Sequence, residues 1–148
     1  LVERLAEHKA RAVSDTHAGL IIGSDQVATI DNEILGKPGN HENAVTQLLR
    51  LSGNRVSFHT GLCLLDTMHH EAQVDVVIFM VQFRQLTREQ IERYLRAEQP
   101  YNCAGSFKSE GLGITLFEKM FGDDPTALIG LPLIRLTAML GNAGVDLP

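Results

Sequence analysis

The chain has 148 residues, of which 44% are hydrophobic and 21% charged, a size at which one domain buries a continuous core. Acidic residues outnumber Lys and Arg by 18 to 13 and no basic block gathers on any stretch, so the net charge of -5 argues against a nucleic-acid partner. The longest apolar runs, Leu62 to Leu65 and Val76 to Val81, fall far short of the roughly 20 residues that span a bilayer, which leaves no membrane anchor. Cys63 and Cys103 lack any CxxC or Cys/His zinc spacing and read as free thiols, and Leu1 to Ala12 interleaves charges where a signal peptide needs an apolar core, so a cytoplasmic setting is expected.

In chain order, Val2, Ala6 and Ala10 recur with Leu1, Leu5 and Val13 at helical spacing, predicting an amphipathic helix that ends near Ser14. Leu1 falls inside that pattern, so further sequence is expected upstream of it. Gly19 to Gly23 reads as a short buried strand, Ser24-Asp25 as a break, and Gln26 to Ile30 as a second extended piece closed by an Asp31-Asn32 turn. Asn40 suits an N-cap for a helix that turns Ala44, Val45, Leu48 and Leu49 inward, with Gly53 as its stop. Val56 to Leu65 and Val74 to Phe83 are rich in β-branched and aromatic residues and predict two strands joined across the polar Asp66 to His70. Thr87 and Gln90 form a capping-box pattern for a helix through Ile91, Tyr94 and Leu95 as far as Pro100. A glycine-rich loop over Gly105 to Gly113, a strand over Ile114 to Phe117, and a last helix from near Leu131-Pro132 that buries Ile134, Leu136, Met139 and Leu140 complete the chain. Interleaved helices and strands give an α/β or α+β fold on a mixed sheet, read as a single domain without repeats.

Three segments carry candidate chemistry. Gly23-Ser24-Asp25-Gln26 is a polar interruption at the end of a buried apolar run, where Asp25 either ligates a divalent metal or accepts a proton from water, or else satisfies backbone amides in an Asx-turn. Gly36-Lys37-Pro38 holds a lysine between two residues that restrict its backbone, which suits a phosphate oxygen, although residue type alone favours a solvated turn lysine. Lys9, alone on a charged helix face, reads as solvated. Ala104 to Gly111 combines small residues that admit a ligand close to the backbone with the opposite charges of Lys108 and Glu110, and reads either as an anion cradle or as a flexible connection. Walker A, GxSxG, HExxH and GxGxxG patterns are all missing, which removes support for the P-loop, α/β-hydrolase, zincin and Rossmann readings.

Taken together and in order, Glu7-His8-Lys9-Ala10, Gly23-Ser24-Asp25-Gln26-Val27, Gly36-Lys37-Pro38, Ser52-Gly53 and Thr60-Gly61 resemble the Maf family of nucleoside triphosphate pyrophosphatases, over essentially the whole chain. Gly23 to Gln26 together with Ala104 to Gly111 is similar to the YceF type, which cleaves 7-methyl-GTP, whereas dTTP/UTP-cleaving members typically carry Ala-Asp-Thr and Tyr-Gln-Gly at those places. The resemblance implies a Maf/ITPase-like mixed β-sheet with flanking helices and a cleft between two lobes, in a homodimer. It implies that Asp25 is the catalytic carboxylate and a metal ligand, that Lys9 and Lys37 contact the phosphates, and that Gln26 and Glu110 help select the base, with Lys108 and Ser106 on the substrate-binding loop. It also implies a divalent cation, Mg or Mn, and attack of water on the α-phosphorus of a nucleoside triphosphate. Family members begin with a strand and a Ser-rich, Arg-containing loop that this sequence lacks at its front. Two other readings compete: a dTTP/UTP pyrophosphatase of the same family, and a nucleotide-binding regulator of cell division without turnover.

Overall fold

β-Branched and aromatic side chains pack well on a pleated surface, and the runs rich in them form the long strands of this protein. The computed structural model describes residues 1–148. Its strands are β1 (Leu20–Ile30), β2 (Glu33–Ile34), β3 (Arg55–Asp66), β4 (Glu71–Phe83) and β5 (Phe117–Phe121), in one five-stranded sheet ordered β2-β1-β3-β4-β5. The β1/β2 and β4/β5 pairs are antiparallel, and a register irregularity interrupts the second at Gln82/Phe83. The helices are α1 (Val2–Ser14), α2 (His41–Leu51), α3 (Arg88–Glu98), α4 (Thr126–Ile129) and α5 (Leu133–Asn142), with 3-10 turns at Ala104–Ser106 and Leu112–Leu116. The mixed α/β fold expected from the sequence is the fold the chain adopts. It divides into two compact units, one of residues 1–26, 59–79 and 123–148 and the other of residues 27–58 and 80–122.

In the first unit, strand alternation sorts side chains onto two helices. Cys63 and Leu65 of β3 join Ile21 of β1 against Ala6 and Ala10 of α1, while Leu62 and Leu64 meet Leu136 and Met139 of α5. Each fully buried leucine contributes about 1.5–3 kcal/mol. The helix α5 is also tied to β4, where Gln73 donates to the Met139 carbonyl at 2.8 Å and Arg135 pairs with Asp75 at 2.7 Å. Asp124, only 4% exposed, organises the approach to both short helices: Oδ1 accepts from the Thr126 amide at 2.9 Å and Oδ2 from the Ile134 amide at 3.0 Å.

The second unit is built on α2 and α3. Asn40 caps α2 by accepting from the Asn43 amide at 2.8 Å, and Thr87 with Gln90 forms the expected capping box on α3. Gln99 ends α3 in the left-handed region at φ 50, immediately before Pro100. Val56, Phe58, Val81 and Phe83 are buried on the strands, and Phe58, Phe83, Phe107 and Phe117 meet edge to face with centroids 5.1 to 5.7 Å apart.

Four details differ from the sequence reading. β1 runs unbroken from Leu20 to Ile30, because Ser24 and Gln26 bond to chain segments distant in sequence and so stay in the strand. The strand expected at Ile114 begins at Phe117; the Gly111 and Gly113 amides both donate to the Lys108 carbonyl and keep Leu112–Leu116 coiled. A short helix, α4, precedes the last one. Leu1, Leu5, Val13, Leu49 and Ile134 are exposed, since helical periodicity finds an apolar face without fixing how wide a stripe is covered.

The packing of α1 on β1 generates a stability test. A β-carbon on residue 23 would stand 2.1 Å from the Ala6 carbonyl oxygen and 2.9 Å from the Ala10 nitrogen, both backbone atoms that cannot rotate away. We expect Gly23→Ala to lower the urea unfolding free energy by about 1–3 kcal/mol or more, the usual cost of overpacking. Gly141→Ala, at a helical site with nothing within 4 Å, should be neutral or stabilising. Equal midpoints for the two variants would show that α1 does not rest on β1.

Candidate active site

Period-two alternation places Gly23 and Asp25 on the α1 side of β1 and Ser24 and Gln26 on the other. On the α1 side, Gly23 lies under Ala6 and Ala10, and Gly61 of β3 lies under Val2, whose carbonyl oxygen would be 2.2 Å from a β-carbon there. The helix therefore rests directly on the strands, and Lys9, adjacent to Ala10, reaches the next inward position of β1. Its Nζ donates to Asp25 Oδ1 at 2.6 Å and to the Ser24 carbonyl at 3.2 Å. The Asp25 side chain is 19% exposed and that of Lys9 58%, so the carboxylate is held within the surface while the ammonium stays open to solvent.

On the opposite side of β1, Ser24 Oγ donates to the Gly130 carbonyl at 2.5 Å. Gln26 Nε2 lies 2.8 Å from the Ala127 carbonyl, 3.2 Å from the Leu128 carbonyl and 2.9 Å from Thr60 Oγ1. These bonds commit the Gln26 amide nitrogen to α4. Gly130 also lines a cavity of about 430 Å³ with Thr126, Ile129, Leu131 and Leu133.

The other predicted site residues belong to the second unit, where the structure brings two loops together. The Gly36 carbonyl accepts from the Gly105 amide at 3.3 Å and from Gln47 Nε2 at 3.1 Å. The Pro38 carbonyl accepts from Asn43 Nδ2 at 3.1 Å, and the Gly39 amide donates to the Tyr101 carbonyl at 3.0 Å, so the backbone around Lys37 is tethered on both sides. In the partner loop Ser106 is fully buried and its hydroxyl donates to Gln47 Oε1, Phe107 enters the aromatic cluster, and the Lys108 amide donates to the Tyr94 hydroxyl at 2.9 Å. Lys37, Lys108 and Glu110 remain exposed. Burial pushes the Cys103 thiol pKa up, with smaller contributions from Lys108 and Lys37, which lower it, and from Glu110 and Glu98, which raise it. Burial likewise drives the Tyr94 phenol upward, which keeps it protonated. A cavity of about 390 Å³ lined by Arg84, Gln90, Arg93 and Tyr94 includes none of the predicted site residues.

Residues 1–143 match the family described as Maf-like protein. The chain belongs to the Maf family. Within the family it is similar to a 7-methyl-GTP pyrophosphatase of Nitrosococcus oceani, 59% identical over 97% of this chain and 73% of that protein. Proteins of the same name from Alcanivorax borkumensis and Pseudomonas fluorescens are 60% and 58% identical, each over 100% of this chain and over 76% and 78% of their own lengths. Both cysteines are free, as expected from their spacing. No helix is long and apolar enough to cross a membrane.

Sequence reasoning missed Gln47 and gave Ser24 and Thr60 no role beyond their place in the Maf segments. A mid-helix glutamine and a strand threonine carry no local signal, because their partners lie far along the chain. Through the Thr126 and Ile134 amides, Asp124 anchors the segment that receives Ser24 and Gln26.

That anchor has a pH signature. Burial alone would raise the Asp124 pKa, but the Thr126 hydroxyl and the Ile134, Thr126 and Ala127 amides outweigh it and hold the carboxyl below its ordinary range. A depressed folded pKa contributes stability above the unfolded value of about 3.9 and loses it as pH falls through the folded value. Asp124→Asn should therefore lower Tm at pH 7, with the gap closing below about pH 4. A gap of constant size at every pH would refute the assignment.

Proposed function

We propose that this protein hydrolyses 7-methyl-GTP to 7-methyl-GMP and pyrophosphate, with Asp25 as the group that takes the proton from water. The observation that carries the reading is the Lys9–Asp25 pair: a carboxylate only 19% exposed, oriented through Oδ1 by the Lys9 ammonium at 2.6 Å, with Oδ2 left out of that bond. It is supported by the names of relatives close to 60% identical over nearly the whole chain.

In this mechanism the oxygen of a water forms a bond to the α-phosphorus, the α–β anhydride bond breaks, and pyrophosphate leaves with the electron pair. Asp25 Oδ2 orients the water and accepts its proton, which is general base catalysis at a fixed carboxylate. Lys9 holds that carboxylate by its first oxygen and, being 58% exposed, presents the rest of its ammonium to phosphate oxygens. Lys37 and Lys108 add positive charge for the polyphosphate, where negative charge gathers as the anhydride opens. Glu110 selects the base. The 7-methylguanine ring carries delocalised positive charge and presents N1–H and N2–H donors, so a carboxylate matches it in charge and in hydrogen bonding. Ser106 acts from beneath by fixing the loop, and Gln26 retains only its carbonyl oxygen for substrate, since its nitrogen serves Ala127, Leu128 and Thr60.

No group of three or more His, Cys, Asp and Glu is arranged to hold a metal by protein ligands alone. A single hard carboxylate oxygen at Asp25 suits Mg or Mn arriving with the triphosphate, since Mg typically takes one or two carboxylates together with substrate phosphates. Bound there, such an ion supplies charge neutralisation at the phosphates. A single functional domain, a homodimer and a cytoplasmic setting belong to the same proposal, on resemblance to the family.

The test is a panel of 7-methyl-GTP, GTP, dTTP and UTP offered to the full-length protein with Mg or Mn. We expect 7-methyl-GTP to give the highest kcat/KM. Glu110→Gln should reduce its advantage over GTP by about tenfold or more, the worth of a charge-assisted hydrogen bond. Equal losses on all four nucleotides would remove Glu110 from base selection, and preferential turnover of dTTP or UTP would reassign the substrate.

A further inference from the structure

We infer that Gln47 is a positioning residue that locks the phosphate-binding Lys37 loop to the base-selecting Ser106–Glu110 loop, so that nucleotide binding and base preference depend on one amide group. The inference rests on the roles proposed above for Lys37 and Glu110. Gln47 projects from α2, a helix fixed by the burial of Ala44, Val45, Leu48 and Leu51. Both ends of its side-chain amide are used: Nε2 donates to the Gly36 carbonyl at 3.1 Å, and Oε1 accepts from the Ser106 hydroxyl. The Gly105 amide donates to that same Gly36 carbonyl at 3.3 Å, so Gln47, Gly36, Gly105 and Ser106 close a ring. Lys37 leaves the ring directly after Gly36, and Lys108 and Glu110 leave it just after Ser106.

The ring is required because the backbone it holds is unfavourable on its own. Gly105 and Ser106 are both left-handed, at φ 81 and φ 65, and a serine in that region is retained only where its surroundings over-determine it. Ser106 is fully buried, so without Gln47 its hydroxyl would be left in the interior with no partner. Releasing the amide frees the two loops from each other and relaxes Ser106, while Asp25 and Lys9 stand on β1 and α1 and keep their own bonds. The expected signature is a loss in binding and discrimination that exceeds the loss in turnover.

Gln47→Met preserves length and helix propensity while removing both bonds. In the full-length protein with Mg we expect KM for 7-methyl-GTP to rise about tenfold, preference over GTP to fall about tenfold, and kcat to fall by less than about threefold. Ser106→Ala should give a smaller loss of the same kind, and the double variant should be no worse than Gln47→Met, as for members of one network. Unaltered KM and preference in a folded Gln47→Met protein would overturn the inference, as would losses that multiply in the double variant. Should Gln47→Met not fold, Gln47→Glu keeps the acceptor for Ser106 and turns a carboxylate towards the Gly36 carbonyl; it should show the same rise in KM, and wild-type kinetics would overturn the inference. Failure of the unaltered protein to hydrolyse 7-methyl-GTP would sink the proposed function instead. The coupling would then be read by amide exchange at Gly105 and Ser106, expected to quicken at least about tenfold in Gln47→Met and refuted by no change.

Discussion

The backbone of α1 lies so close to β1 and β3 that positions 23 and 61 can carry only glycine beneath it. The Ala6 carbonyl oxygen stands 2.1 Å from where a β-carbon on residue 23 would lie, and the Val2 carbonyl oxygen 2.2 Å from one on residue 61. What meets these two positions is chiefly helix backbone, of Val2, Glu3, Ala6 and Ala10. The consequence is geometric. With the helix pressed onto the strand, a lysine one position before Ala10 meets the carboxylate two residues after Gly23, and the pair closes at 2.6 Å. A larger residue at either site would lift the helix and leave Asp25 without its partner.

The second unit reaches order by a different route, through hydrogen bonds in place of close backbone packing. The segments around Lys37 and Lys108 are loops, and loops hold a position only as well as their backbone groups are bonded. Here those groups are bonded to Gln47 and Asn43 of α2, to the Tyr101 carbonyl and to the Tyr94 hydroxyl, with Phe107 packed among three other phenylalanines. The charged ends of Lys37, Lys108 and Glu110 stay in solvent above a fixed base. Such an arrangement suits a site that must exchange a highly charged ligand without rebuilding itself.

Much of this fold was legible in the sequence because local signals and global packing agree. The capping box at Thr87 and Gln90, the N-cap at Asn40 and the β-branched runs of β3 and β4 each specify an element by residues a few positions apart. The signals failed where partners are remote. Ser24-Asp25 looked like a break because polar residues interrupt an apolar run, yet Ser24 and Gln26 have acceptors, Gly130, Ala127 and Leu128, about a hundred positions away. Residue type alone likewise left Lys9 and Lys37 as solvated lysines. Only the ordered set of motifs shared with the Maf family singled them out, and the structure adds that Lys9 has a defined carboxylate partner whereas Lys37 is exposed on a tethered backbone.

The claim at the centre is that Lys9 and Asp25 act as one unit in turnover. It is tested most directly by kcat/KM for 7-methyl-GTP in the full-length protein, its Lys9→Met and Asp25→Asn variants, and the double variant. Each single change should lower the value at least about a hundredfold, the lower range for a general base, and the double variant should fall no more than about threefold below the poorer single one. Losses that multiply, or an Asp25→Asn protein that turns over normally, would contradict it.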